Sequence, residues 1–164
     1  NIKNMNIKPI FYTLEEWSFQ LQTFFQSFIL VFFVFIFLDK SLLLNLFLYS
    51  WLPFLNLFIF IYWFPIIVCL ISVRFTDIAQ LVPIVLQLSF LISPILYRKE
   101  SLGSLSWIAN INFIYQILDP LRTSIIDGYV DFQSSSLILL CNFTGLIFTM
   151  AILNHESKQL PFML

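Results

Sequence analysis

The chain has 164 residues, 60% of them hydrophobic and only 10% charged, with a formal net charge of −1 and a mean hydropathy of +0.92. A soluble domain carries about 25% charged residues, so this chain has too little charge to wet a globular surface and reads as an integral membrane protein. No excess of positive charge offers nucleic acid a basic patch, and none is expected as a partner.

In chain order, Phe11–Gln22 comes first. Leu14, Trp17, Leu21 and Phe24 recur at helical spacing, opposite Glu15, Glu16, Gln20 and Gln22. The pattern predicts an amphipathic helix along the membrane surface that turns into the bilayer near Thr23; the alternative is the ragged start of one long span. Charge-free windows then occupy Trp17–Leu38, Ser41–Val73, Ile78–Tyr97 and Phe132–His155. A spanning helix needs about 20 mostly apolar residues, and lipid tolerates only helices there. Four spans are therefore expected near Thr23–Leu38, Leu52–Val73, Ile78–Leu96 and Ser136–Leu153, with Leu42–Ser50 at the outer interface beside Trp51. Pro65 and Pro83 should kink their helices, because each removes a ladder hydrogen bond.

Within the third span, Gln80, Pro83 and Gln87 lie close to one helical face. An amide deep in lipid is costly unless bonded, so this face is expected to meet protein or water, either as helix–helix glue or as a polar transport path. Ser101–Leu118 is charge-free but interrupted by Gly103, Asn110, Asn112 and several serines. It reads as re-entrant or interfacial short helices rather than a span, with a bend at Asp119-Pro120 and an end near Asp127-Gly128. Cys69 and Cys141 sit in apolar runs and read as buried small hydrophobes. His155 has no second ligand nearby, and neither a metal site nor a cofactor is expected. Basic residues divide evenly between the two sides of this topology, so charge does not orient it. The expected fold class is all-α integral membrane: four transmembrane helices, a preceding interfacial helix, and short helices between the last two spans.

The stretch Arg74-Phe75-Thr76-Asp77 through Gln80, Pro83 and Gln87, continuing to Ser93-Pro94-Ile95, closely resembles the membrane subunits of ABC-2 type exporters for O-antigen, capsule and teichoic acid. In that family an Arg-Phe-x-Asp turn enters a Pro- and Gln-containing helix that ends in Ser/Thr-Pro-Ile. Asn112, Asp119, Arg122 and Gly128 follow a second family pattern at the outer gate, with Phe113 where the family usually has Pro. Lys3–Pro9 resembles the cytoplasmic link after the family's second span, so the chain is expected to be the C-terminal portion of a six-span protein.

The resemblance implies one permease domain: 1–22 as cytoplasmic link and interfacial helix, 23–153 in the membrane, 154–164 as a cytoplasmic tail. It implies a multi-pass protein of the bacterial inner membrane that moves a lipid-linked polysaccharide outward as a homodimer, among membrane lipids. The polymer would pass between the protomers, along or near the Gln80, Pro83 and Gln87 face. Arg74 and Asp77 would form a structural turn, or else contact the ATP-binding partner or lipid phosphates. The chain has no Gly-x-x-x-x-Gly-Lys-Ser/Thr loop, so ATP would be hydrolysed by a separate subunit. That subunit would push on the surface carrying Glu15, Glu16 and Trp17, rocking the spans between two states. No catalytic residue is assigned. The competing reading is a membrane-embedded enzyme or assembly subunit acting on polyprenyl-linked sugars. An enzyme would need grouped carboxylates, and Asp119, Asp127, Asp131 and His155 form no compact pair in sequence.

Overall fold

The computed structural model describes residues 9–93 and 111–156, together with Gly103 and Trp107, and among these every regular element is a helix. There are six longer helices: α1 (Pro9–Leu38), α2 (Lys40–Tyr49), α3 (Trp51–Arg74), α4 (Thr76–Ile92), α5 (Phe113–Ile126) and α6 (Phe132–Glu156). Three of them, over Ile10–Phe37, Trp51–Arg74 and Phe132–His155, are long and apolar enough to cross a membrane. Burial is inverted relative to a water-soluble protein. The fully buried side chains include Ser50, Asn56, Ser124, Ser135 and Thr149, whereas Phe37 is 85% and Leu30 70% exposed. A chain that hides its polar groups and displays its large apolar ones is built for a hydrocarbon solvent.

Ring contacts set the direction of α1 against α3. Trp17 meets Tyr62, Phe24 meets Phe58 and Phe28 meets Phe54, so the two helices run antiparallel. Hydrogen bonds set the direction of α6: Asn56 reaches Ser135 and Trp63 reaches Asn142, so α3 and α6 run parallel. Tyr12 of α1, Val73 of α3 and Leu153 of α6 line one cavity. The beginning of α1 and the end of α6 therefore share the Arg74 end of the bundle. At the Trp51 end, α2 packs on α5: Ser50 and Ser124 hydroxyls lie 3.1 Å apart, and Asn45 donates to the Ile125 carbonyl at 3.1 Å.

Helix α5 has 14 residues, about 21 Å at 1.5 Å per residue, against a hydrocarbon core of about 30 Å. Its Ser124 meets the start of α3 while Phe113 lies 5.1 Å from Phe64, halfway along it. The helix thus fills the Trp51 half of the bundle and stops. Of the re-entrant segment expected from sequence, this is the described part; Ser101, Ser104, Ser106 and Asn110 lie outside the described residues.

Several boundaries differ from those read in the sequence. The turn near Thr23 is absent, because α1 runs unbroken from Pro9 to Leu38; no Gly or Pro interrupts it, and Thr23 returns its hydroxyl to the Phe19 carbonyl. The amphipathic stretch is the first part of one long helix, which is the alternative weighed above. Helix α4 has 17 residues and ends at Ser93, shorter than the other three; the rest of the expected span, to Leu96, lies outside the described residues. Asp119 and Pro120 sit inside α5 rather than at a bend. Proline forfeits one ladder bond there, and the helix is held past it by packing. Cys69 and Cys141 are exposed rather than buried, which suits a weakly polar thiol whose neighbour is lipid.

Candidate functional site

Helix α4 packs mainly on α3, and its more buried positions, Ile78, Val82, Ser89 and Ser93, recur at helical spacing on that side. At 100° per residue, Gln80 and Gln87 fall on the opposite side. Both are exposed, as is Pro83. Neither amide bonds any described residue, so the face is presented outward with its polar groups unused. Intrachain glue, one of the two readings of this face, is therefore not its role within the described residues.

The turn into α4 is a single residue, Phe75, in extended backbone. Arg74 closes α3 and Asp77 lies in the first turn of α4; both are exposed and do not pair. Side-chain capping by Asp77 is not seen, because Phe75 occupies the cap position. What remains is the favourable placement of a carboxylate in a first turn and a guanidinium in a last turn, each complementing the helix dipole.

Around α5 the expected gate residues find definite places. Asn112 caps α5 by accepting from the Ile114 amide at 3.1 Å and donates to the Ser89 carbonyl of α4 at 2.6 Å. It ties the short helix to the end of the Gln-bearing one. Gly128 follows the C-cap of α5 with φ +68°, and a Cβ there would lie 2.9 Å from the Asn45 side chain. Only glycine suits both the backbone and the space. Arg122 is half-buried on α5. Asp119 lines an open cavity of about 410 Å³ with Tyr115, Gln116, Thr123, Tyr129 and Asp131. This brings Asp119 and Asp131 to one cavity, a proximity that their separation in sequence concealed. Asp131 also caps α6: bonds from the Ser134 hydroxyl and amide hold its carboxyl below the ordinary carboxylate range.

On α1, Glu15 and Glu16 are exposed, while Trp17 turns inward to meet Tyr62 edge-on at 5.6 Å. The surface expected to face an ATP-binding subunit therefore carries two carboxylates but not the indole. Residues 1–8 of that region lie outside the described residues. No group of three His, Cys, Asp or Glu side chains that could hold a metal occurs among the described residues.

The strongest polar constellation went unmarked in the sequence. Asn56 donates to the Ser135 carbonyl at 2.8 Å, Asn142 donates to the Asn56 carbonyl at 3.0 Å, and Trp63 Nε1 donates to Asn142 Oδ1 at 3.0 Å. Gly145 makes room for the Trp63 ring, since a Cβ there would come within 2.7 Å of it. The signal existed: two asparagines in charge-free windows demand partners as much as two glutamines do.

No family model matches the chain, and no curated protein or solved structure does.

Proposed function

We propose that the chain is the membrane-spanning permease part of an ABC-2 type exporter, which moves a lipid-linked polysaccharide outward across the bacterial inner membrane. The observation that carries the reading is the outward face of α4, where Gln80 and Gln87 take no partner from the described residues although every residue between them is apolar. Amides placed so demand water, sugar hydroxyls or a second protomer. The Arg74–Gln87 motif, the one-residue turn and the short α5 docked on α4 through Asn112 support it further. In this reading four spans cross the membrane, two protomers flank the polymer, and a separate ATP-binding subunit engages the Glu15 and Glu16 surface. The chain itself carries out no catalysis. In the full-length protein, Gln80→Leu with Gln87→Leu is expected to impair export while leaving permease abundance unchanged. Surface polysaccharide measured beside permease abundance tests this, and normal export at normal abundance overturns the assignment of the face.

One observation favours the competing enzyme reading: Asp119 and Asp131 line the same cavity, with Tyr129 between them in sequence. Grouped carboxylates at one end of the bundle are what general acid–base chemistry on a polyprenyl-linked sugar requires. Asp131→Asn separates the two readings, because an enzyme would lose turnover with it, whereas a permease would keep exporting polymer.

A further inference from the structure

Helix α1 turns one stripe to the bundle and another away from it. Trp17, Leu21, Phe24 and Phe28 are among its part-buried positions, and the rings of Trp17, Phe24 and Phe28 rest on α3. On the opposite side, Phe19, Gln22, Gln26, Ile29, Phe33 and Ile36 are all exposed. They follow one another at alternating steps of three and four residues, the spacing of a seam that keeps facing a single partner helix. The two amides in this seam lie deep. Trp17 meets Tyr62, halfway along α3, and Phe28 to Leu38 is apolar without a break. Gln22 and Gln26 thus stand between the level of a span's middle and a long apolar run. Neither takes a hydrogen bond from a described residue.

We propose that this stripe is a self-association seam, along which α1 packs in parallel against α1 of a second copy about a two-fold axis normal to the membrane. Such an axis sets each seam residue beside its own counterpart at the same depth. A glutamine amide carries two donors and a carbonyl acceptor, so Gln22 and Gln26 each bond their copies. Polar groups in an otherwise apolar seam also fix its register and its partner. Other occupants match the stripe less well. Lipid tails bring no hydrogen-bonding atom to that depth. Gln80 and Gln87 of α4 are seven residues apart, about 10 Å along a helix, against about 6 Å for Gln22 and Gln26. An α4 helix from a second copy therefore meets only one of the two amides at a time. Glu15 continues the register by one turn, and like charges brought opposite each other repel. The seam accordingly closes from Phe19 to Ile36 and parts at Glu15. It requires only that α1 lies in the membrane; it does not rest on export.

The test uses the full chain in membranes, carrying Cys69→Ala and Cys141→Ala, with single cysteines placed along α1. Oxidation should cross-link two copies through cysteines at Phe19, Gln22, Gln26, Ile29 and Phe33. It should not do so at Ser27 or Val34, which are also exposed but lie on another side of the helix. Gln22→Leu with Gln26→Leu should raise the dimer dissociation constant about tenfold, read by energy transfer between labelled copies in vesicles. Gln22→Asn with Gln26→Asn, which keeps both amides, should weaken the dimer much less, and helical circular dichroism should be unchanged in both variants. Absence of cross-links along the seam, cross-links as strong at Ser27 and Val34, or a dimer indifferent to the leucine pair would each overturn the proposal. So would seam cysteines that join a different membrane polypeptide instead of a second copy.

Discussion

At the scale of single residues, two substitutions test the polar tie between α3 and α6. Gly145→Ala places a methyl group within 2.7 Å of the Trp63 ring, and overpacking of this kind costs about 1–3 kcal/mol. Its effect should fall sharply when Trp63 is also replaced by Phe, which a double-mutant cycle of unfolding in detergent measures. Asn142→Leu removes the donor to the Asn56 carbonyl and leaves the Trp63 N–H without its acceptor. At roughly 0.6–2 kcal/mol per interhelical bond in a membrane setting, it is expected to destabilise more than Cys141→Leu, one residue away on the exposed side. Asp39 and Asp131 give the pH dependence. Bonds from the Ser41 amide and hydroxyl lower the Asp39 carboxyl, and bonds from Ser134 lower Asp131. A lowered carboxyl contributes stability above its unfolded value and loses it as pH falls through the lowered folded value. The starts of α2 and α6 should therefore hold at neutral pH and fray in acid, with faster amide exchange at Ser41 and Ser134. Asp39→Asn and Asp131→Asn, which keep an acceptor oxygen, should blunt that response.

At the scale of elements, the docking of α5 is the feature most open to test. Asn112→Ala removes both the cap on Ile114 and the link to Ser89. It should cost about 1 kcal/mol or somewhat more and raise proteolytic nicking before α5. Helix α3 was legible almost to the residue, because a long charge-free window translates directly into a span, whereas α6 extends beyond the expected Ser136–Leu153 at both ends, to Phe132 and Glu156. The end of α5 near Asp127-Gly128 was legible from its turn chemistry. The unbroken α1 was not, because Glu15 and Glu16 look like a surface helix whether or not the chain turns at Thr23. Nor was the continuation of α5 through Asp119-Pro120, since packing on α2 and α3 offsets a lost ladder bond that local sequence treats as decisive. The α4 face was legible as polar. The Asn56–Asn142 tie was equally readable in principle, since an asparagine in a charge-free window needs a partner as much as a glutamine does.

At the scale of the whole molecule, the shared position of Tyr12 and Leu153 fixes the order of labelling. Cysteines introduced at Tyr12 and His155 should react with an impermeant thiol reagent from one side of a sealed vesicle, and one at Ser41 from the other. Reaction of Tyr12 and His155 positions from opposite sides would contradict the helix directions given by the ring and hydrogen-bond contacts. The distribution of hydrogen bonds has a mechanical consequence. Those described between helices, from Asn45, Ser50, Asn56, Trp63, Asn112 and Asn142, all join the Trp51 half of the bundle. Helix α1 is held to α3 by edge-on and tilted ring contacts, which are less directional than hydrogen bonds. Among the described contacts the bundle thus resembles a clothes-peg, its hydrogen-bonded grip across the Trp51 half and α1 resting on α3 through ring surfaces alone.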